Sequence, residues 1–185
     1  MPHRNILQKD KTVLVVIDMQ EAFRNSIADF TIIAERIAVA VRGFRVLEVP
    51  VIVTEQYPKG LGRTAPEISD ALPDGFEVAE KTAFSSCGSN TFLEQLNTTG
   101  AKQIVICGIE THICVNQTAH DLLEKGFEVH ILQDCVSSRF EYNKKIGLQK
   151  MKINGVIPTS VEMSLFELMR DSRHEQFKAI QKLIK

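Results

Sequence analysis

The sequence predicts an α/β fold of three layers (α/β/α), with a six-stranded, mostly parallel sheet between two layers of helices. Two observations predict it. Short apolar runs rich in β-branched residues alternate along the chain with segments whose apolar residues recur at helical spacing. Such alternation implies strand–helix–strand units, whose strands lie parallel and are covered on both faces. The chain has 185 residues, of which 44% are hydrophobic, so we expect a single domain over residues 1–185 with a sizeable core.

Six segments are expected to be strands. The first ends on the carboxylate of Asp18, and the second follows Pro50. The fourth is a β-branched run that ends just before Gly108. In chain order the predicted strands are residues 12–18, 51–54, 76–80, 103–107, 127–132 and 156–159.

Helical spacing is clearest after the first strand, where Ile33, Ile37, Val41 and Phe44 fall on one stripe. The predicted helices are residues 32–47, 90–97, 112–125, 143–152, 161–170 and 174–184. Residues 55–75 form a long stretch rich in proline and glycine, and long loops in compact domains are commonly functional. The whole order is that of a Rossmann-like sheet, which binds ligands beyond the carboxyl ends of its strands.

Charge and cysteine content limit the function classes. The 22 Lys and Arg residues nearly balance the 23 Asp and Glu residues, so the balance gives no general reason to bind nucleic acid or anionic membrane. No apolar run approaches the roughly 20 residues that span a bilayer, and the first residues lack the apolar core of a secretory signal.

The cysteines show no Cys-x-x-Cys spacing, so we expect reduced thiols and a cytoplasmic location, with two disulfides as the alternative. They are Cys87, Cys107, Cys114 and Cys135.

Asp18, Lys81 and Cys114 share one position in the predicted fold. Asp18 ends the first strand, Lys81 follows the third, and Cys114 lies past the fourth, at the start of the next helix. Because parallel strands end at a common edge, these side chains are expected to converge. The dipole and unpaired amides of a helix start favour thiolate over thiol at Cys114. Asp18 then suits a general base and acid, Lys81 an electrostatic partner, and Cys114 a nucleophile.

Each of these residues also has a purely structural interpretation. Asp18 is suited to cap the following helix, Lys81 to be solvated, and Cys114 to be a small buried apolar residue. Their occurrence together at three strand ends of one sheet favours a catalytic site.

Three motifs that contain these residues resemble those of the isochorismatase-like cysteine hydrolases. They are Asp18-Met-Gln-x-x-Phe23, Lys81-Thr-Ala-Phe84 and Gly108-Ile-Glu-Thr-His-Ile-Cys114, in the family's order. The resemblance covers residues 12–164. Within the family, residues 54–62 and 176–185 resemble the branch of isochorismatase domain-containing proteins 1 and 2.

The resemblance implies a catalytic triad of Asp18, Lys81 and Cys114. It also implies a cis peptide bond between Ile109 and Glu110, which in the family helps to aim backbone amides at the substrate oxygen. The amides of Glu110 and Cys114 would then form an oxyanion hole. The family often has a small residue where this chain has Glu110, so a further carboxylate is expected near the site.

Two departures from relatives narrow the expected chemistry. Nicotinamidases of the family bind a metal through an Asp-x-His motif and a later histidine after the second strand, whereas residues 55–60 here contain no histidine. We therefore expect no metal and no cofactor. True isochorismatases often lack the nucleophilic cysteine, so Cys114 favours acyl chemistry. The expected function is C–N bond hydrolysis of a small amide, ureido or related carbonyl compound through a thioester-type intermediate.

The substrate pocket is expected to involve the 55–75 stretch and the aromatic residues of the motifs. Phe23 and Phe84 also suit plain core positions. The predicted pocket residues are Phe23, Gln56, Tyr57, Phe84 and Ile109.

The remaining cysteines and histidines carry weaker hypotheses. Cys107 is expected to be inert core, Cys87 to lie at the pocket rim, and Cys135 to lie near the same edge without a motif. His112 is close enough in sequence to Cys114 to act as a second base, although a solvent-facing or capping role is the simpler interpretation. The other histidines show no metal-ligand pattern.

Two other functions stay open from the sequence. One is a binding or scaffold protein that keeps the fold without turnover. The other is a thiol redox sensor, with Cys87 as the candidate resolving cysteine. The expected partners are a small-molecule substrate and, by resemblance, further copies of the chain in a homo-oligomer (dimer or higher). The sequence does not name the substrate, because pocket shape decides specificity.

Overall fold

Six parallel strands form the centre of the molecule, as the sequence predicts. The computed structural model describes His3 and residues 5–185. Met1, Pro2 and Arg4, at the start where no secretory signal is predicted, lie outside the described residues. The strands are β1 (Thr12–Ile17), β2 (Val51–Gln56), β3 (Ala79–Lys81), β4 (Gln103–Ile109), β5 (Glu128–Ser137) and β6 (Ile157–Thr159). They pair in the order β3-β2-β1-β4-β5-β6, and each neighbouring pair is parallel.

Helices cover both faces of this sheet. They are α1 (Phe30–Val46), α2 (Pro58–Leu61), α3 (Pro66–Ser69), α4 (Asn90–Thr99), α5 (Asn116–Glu124), α6 (Glu141–Ile153), α7 (Val161–Met169) and α8 (Phe177–Ile184). Single 3₁₀ turns occur at Lys9–Lys11, Glu21–Phe23 and Ser86–Gly88, and Thr111–Val115 form a π-helical turn. Over the described part of the chain, no helix is long and apolar enough to cross a membrane.

The residues of β1 alternate between two buried cores. Leu14 and Val16 belong to the core that includes α1, α7 and α8. Val13, Val15 and Ile17 belong to the core that includes α4, α5 and α6. Because the strand is covered on both faces, all six of its residues are buried. This explains why its sequence is apolar at successive positions rather than at alternate ones.

Strand order reverses between β1 and β4, and connections leave this point toward opposite faces. Such a reversal leaves a crevice at the carboxyl ends of the strands. Gly108 of β4 lies so close to β1 that a Cβ atom there would be 2.0 Å from the carbonyl oxygen of Ile17. Its φ of 116° is also a conformation that favours glycine. The junction of the two central strands therefore depends on this glycine.

Some element boundaries differ from those expected. The third strand is Ala79–Lys81 rather than residues 76–80, because only these residues pair with β2. Phe76 and Val78 pack instead against the α1 core. The irregular stretch 55–75 contains the short helices α2 and α3. The last helix starts at Phe177, three residues later than the predicted 174.

His130 provides a test of burial through pH-dependent stability. It lies on β5, is 1% exposed, and neither ring nitrogen has a hydrogen-bond partner. Burial lowers its pKa from 6.5 to about 4. Between these values the unfolded chain binds more protons than the folded one, so the stability attributable to His130 is present above about pH 6.5 and is lost toward pH 4. The full effect is about 3 kcal/mol.

We expect His130→Leu to remove this part of the pH dependence. Urea denaturation of both proteins at several pH values from 4.5 to about 7 measures it, since subtraction cancels the titration of all other groups. As pH falls, the free energy of unfolding of the wild type should decrease relative to that of the variant. A constant difference across the range would show that His130 is not buried as a neutral group.

Gly108 provides a second test. Gly108→Ala adds a clash with the Ile17 carbonyl to the cost of a positive φ, so we expect a loss of more than about 4 kcal/mol or no folded protein. Gly126→Ala is the matched control: Gly126 has a φ of 84° but nothing within 4 Å of its Cβ position. That variant should lose only about 1 kcal/mol in the same denaturation experiment. Equal losses would contradict the close approach of β1 and β4.

Candidate functional site

Asp18 lies one residue beyond β1, at the point where strand order reverses. It is 2% exposed and has a φ of 51°, a region that Asp tolerates better than most residues. Its Oδ1 accepts a hydrogen bond from Thr54 Oγ1 at 2.7 Å, and its Oδ2 accepts one from Lys81 Nζ at 2.6 Å. The helix-cap interpretation is therefore wrong, because the carboxylate faces the neighbouring strands.

Lys81 is the last residue of β3, and its side chain has no exposed surface. Besides Asp18, its ammonium donates to Gln56 Oε1 at 2.7 Å. It also donates to the carbonyl oxygens of Phe84 at 2.9 Å and Ala83 at 3.2 Å. An ammonium has three protons, so these four acceptors occupy all of them. Lys81 is thus a buried structural cation rather than the solvated lysine of the alternative interpretation.

Cys114 lies in the π-helical turn Thr111–Val115 that joins β4 to α5. The Thr111 hydroxyl ties this turn to β5 by donating to the Ser137 carbonyl at 2.9 Å. The backbone of Gly147 on α6 packs closely on its other side. The turn places Cys114, a residue that is 7% exposed, where the charges of both Asp18 and Lys81 act on its thiol. The structure thus brings together the three residues that the sequence singles out.

The thiol is held in its protonated form. Burial, and then the negative charge of Asp18, raise the pKa of Cys114 to about 12, and the opposing effect of Lys81 is smaller. The prediction that the helix start favours a resting thiolate is therefore wrong. A partial dipole charge does not offset the loss of hydration around a buried thiolate next to a carboxylate.

Glu110 introduces a carboxylate beside this turn, and Arg139 neutralises it. The Glu110 side chain is 5% exposed, and its Oε1 accepts hydrogen bonds from the backbone N and from Nε of Arg139, both at 3.0 Å. The peptide bond between Ile109 and Glu110 is cis. The carbonyl oxygen of Glu110 accepts from the amides of Ile113 at 3.0 Å and Val115 at 3.3 Å. The carboxylate is thus paired rather than directed at the thiol as a free charge.

The predicted pocket residues have different environments. Gln56 is half-buried and bonds to Lys81, whereas Tyr57 and Phe84 are exposed by 54% and 56%. Tyr57 and Phe84 line different cavities, of about 450 and 370 Å³, on either side of the segment after β3. Phe23 packs against the α1 core, and Ile109 is fully buried within it. Ile109 is therefore a core residue, since its side chain presents no surface for a ligand to contact.

Hydrogen bonds made by Gln20 and Glu55 hold the segment after β2 against the site. Gln20 is fully buried, and its Nε2 donates to the carbonyls of Gln56 at 3.0 Å and Gly62 at 2.7 Å. Its Oε1 accepts from the Gln56 amide at 2.8 Å. The buried carboxylate of Glu55 accepts from the amide and hydroxyl of Thr64 at 2.7 and 2.8 Å. Residues 56–64 are thus anchored at both ends.

The other three cysteines have different environments. All four are free thiols in the structure. Cys107 and Cys135 are fully buried, and burial raises the pKa of each. Cys87 is half-buried, and burial followed by the charge of Asp121 raises its pKa to about 11. It lines the same cavity as Phe84, which fits a position at the rim.

Histidines do not complete a metal site here. Among His3 and residues 5–185, no group of three or more His, Cys, Asp and Glu side chains is placed to hold a metal ion. His112 is half-buried, and its Nδ1 lies 3.1 Å from the hydroxyl of Ser138.

Sequence reasoning missed two residues at the site, Thr54 and Arg139. Thr54 was assigned to the end of the second strand, next to the strand that ends on Asp18. Its significance depends on its register beside Ile17, which the structure shows and the sequence does not specify. Arg139 follows β5, so the topology places it at the same edge of the sheet. Both were overlooked because neither lies in one of the three motifs.

Comparison with known proteins agrees with this fold. A model of the Isochorismatase domain matches residues 12–163. Isochorismatase domain-containing protein 2 from Danio rerio is 40% identical over 173 residues, which are 94% of this chain and 86% of that protein. A structure described as MAR1 ribonuclease from Caenorhabditis elegans matches with a TM-score of 0.91 at 37% identity, covering 97% of this chain and 92% of that one. The YcaC gene product of Escherichia coli, described as an octameric hydrolase of unknown specificity, matches with a TM-score of 0.90 at 22% identity, covering 100% and 91%.

The Asp18–Lys81 ion pair predicts a stability pattern that does not depend on activity. Lys81→Met leaves the Asp18 carboxylate buried without its counter-charge, so we expect a loss of about 3–5 kcal/mol. Asp18→Asn combined with Lys81→Met removes both charges and should recover most of that loss, because Asn also tolerates a positive φ. Urea denaturation of the single and double variants measures the coupling. Additive losses would contradict a buried, mutually dependent pair.

Proposed function

The chain belongs to the isochorismatase family, and we propose that it is a metal-independent cysteine hydrolase of a small amide, ureido or related carbonyl compound. The observation that carries the proposal is a buried ion pair, Asp18–Lys81, whose two charges both act on the thiol of Cys114. A nucleophile next to a base, with the base oriented by a third group, is the arrangement of covalent catalysis. The fold, a parallel sheet with the site at its strand ends, is that of a hydrolase family.

The first half-reaction forms a covalent intermediate. Cys114 Sγ attacks the carbonyl carbon of the substrate while Asp18 accepts the thiol proton. The carbonyl π electrons move to oxygen, and the backbone amides of Glu110 and Cys114 would stabilise the resulting oxyanion. The intermediate then collapses, the C–N bond breaks, and Asp18 returns the proton to the leaving nitrogen. A thioester on Cys114 and a free amine or ammonia result.

Water completes the reaction. Asp18 accepts a proton from a water molecule as its oxygen attacks the thioester carbon, and collapse of this second intermediate releases a carboxylic acid and the Cys114 thiolate. The proton on Asp18 then returns to sulfur. Lys81 keeps a fixed positive charge beside both steps and lowers the energy of the transient thiolate.

The raised pKa of Cys114 supports a role for Asp18 as base. At neutral pH the thiol is protonated, so attack requires a group that takes the proton as the S–C bond forms. Asp18 is the carboxylate whose charge acts on the thiol, and its oxygens are fixed by Thr54 and Lys81. Preorganised groups of this kind avoid reorganisation during the reaction.

We also propose that the protein works in the cytoplasm as a homo-oligomer. Four unpaired cysteines suit a reducing compartment. The octameric assembly described for the YcaC gene product supports self-association in this fold. Light scattering coupled to size exclusion measures the number of chains.

Loss of the thiol tests the hydrolase proposal. We expect a panel of small amides, ureides and esters to contain at least one compound that the protein hydrolyses, and Cys114→Ala to reduce that turnover by at least about 10³-fold. Cys135→Ala is the control, because it removes another buried thiol from the core. Product release is followed by amine detection and mass spectrometry.

The same panel includes a short RNA, because one similar structure is described as a ribonuclease. Cleavage of RNA that survives Cys114→Ala would overturn the proposal. Absence of turnover on every compound, together with unchanged binding in Cys114→Ala, would support the scaffold alternative instead.

A further inference from the structure

Thr54 contributes a buried hydroxyl to the candidate site. It is the fourth residue of β2, it has no exposed surface, and its register places it beside Ile17 at the end of β1. Its backbone carbonyl accepts from the Asp18 amide at 3.2 Å, while its Oγ1 donates to Asp18 Oδ1 at 2.7 Å. The two residues are thus joined through both backbone and side chain.

The Thr54 hydroxyl donates its hydrogen bond to a charged acceptor, the Asp18 carboxylate. Hydrogen bonds to an ionised carboxylate are shorter and stronger than those between neutral groups. Because Lys81 binds Oδ2, the bond from Thr54 fixes the rotation of the carboxylate about its Cβ–Cγ bond. Each oxygen keeps a second acceptor position, so the carboxylate can still accept the Cys114 proton.

Lys81 cannot replace Thr54 in this role. All three of its protons have acceptors, and Gln56 and two backbone carbonyls hold it on the sides away from Asp18. The titratable groups that interact with Asp18 are Lys81 from β3, by an ion pair, and Cys114 from the π-helical turn, whose thiol its charge affects. The nearby carboxylate of Glu55 is bound by Thr64 and Arg63, and that of Glu110 by Arg139.

We propose that Thr54 is a positioning residue for the proton transfer between Cys114 and Asp18. Its hydroxyl stabilises the ionised carboxylate and fixes its rotation, so that Asp18 is ready to accept the thiol proton. This inference rests on the proposed function of Asp18 as base, and it adds a neutral residue of β2 to the machinery.

The test uses iodoacetamide, which alkylates thiolates and needs no knowledge of the substrate. The rate at Cys114 is followed from about pH 2.5 to 10, over the range in which circular dichroism shows the protein folded, by mass spectrometry of the Cys114 peptide. If Asp18 takes the thiol proton, the wild-type rate rises to a plateau through an acid limb that reports the ionisation of Asp18. Asp18→Asn should lack this plateau and rise about tenfold per pH unit until the thiol itself ionises.

Thr54→Val removes the hydroxyl but keeps the side-chain shape, and Thr54→Ser keeps the hydroxyl as the matched control. We expect Thr54→Val to move the acid limb upward by about one pH unit and to raise the plateau, because the carboxylate becomes more basic. Thr54→Ser should keep the wild-type limb. If Thr54→Val does not fold, Thr54→Ala replaces it in the same comparison.

The outcomes distinguish a failure of the proposed function, in which Asp18 is the base, from a failure of the role of Thr54. A wild-type profile like that of Asp18→Asn would overturn the role of Asp18 as base, and with it the proposed function. A wild-type limb that Thr54→Val leaves in place, or a plateau that falls without a shift, would overturn the role of Thr54 alone. An equal shift in Thr54→Val and Thr54→Ser would also count against the hydroxyl.

Discussion

Lys81 and Asp18 bury opposite charges at the edge of the sheet, and each charge is stable there because of the other. Burial of ions is costly, so the surrounding chain must supply hydrogen bonds to the remaining protons and lone pairs. Strand β2 does so with Thr54 for the carboxylate and Gln56 for the ammonium. The site therefore follows from strand pairing. Because β1, β2 and β3 end at the same edge of the sheet, the polar side chains at or next to their ends form hydrogen bonds with one another.

The charges of the same pair act on the Cys114 thiol, but other parts of the fold position this thiol. Its π-helical turn is held by β5, which belongs to the other half of the sheet, and by α6. The two halves meet where β1 and β4 run side by side, with Gly108 allowing their close approach. The placement of Cys114 relative to Asp18 is consequently set by the core of the protein. The high pKa of Cys114 follows from this burial.

The sequence was sufficient for the fold because strands covered on both faces are apolar throughout, as in β1 and β4. It was also sufficient to single out Asp18, Lys81 and Cys114, since charged and thiol groups at strand ends stand out chemically. Thr54 did not stand out, because its significance depends on the register of β1 and β2, which the sequence does not contain. The protonation state of Cys114 was misjudged for a similar reason. A helix start is a local feature, whereas dehydration and the charge of Asp18 arise from tertiary structure.

Gln20 fixes the segment after β2 to the chain that follows β1. Gln20 bonds to the backbone of Gln56 and Gly62, and it makes no bond to the side chains between them. The backbone on both sides of residues 57–61 is therefore fixed to the chain two residues beyond Asp18. A displacement of the end of β1 would consequently move Asp18 and both ends of this segment together.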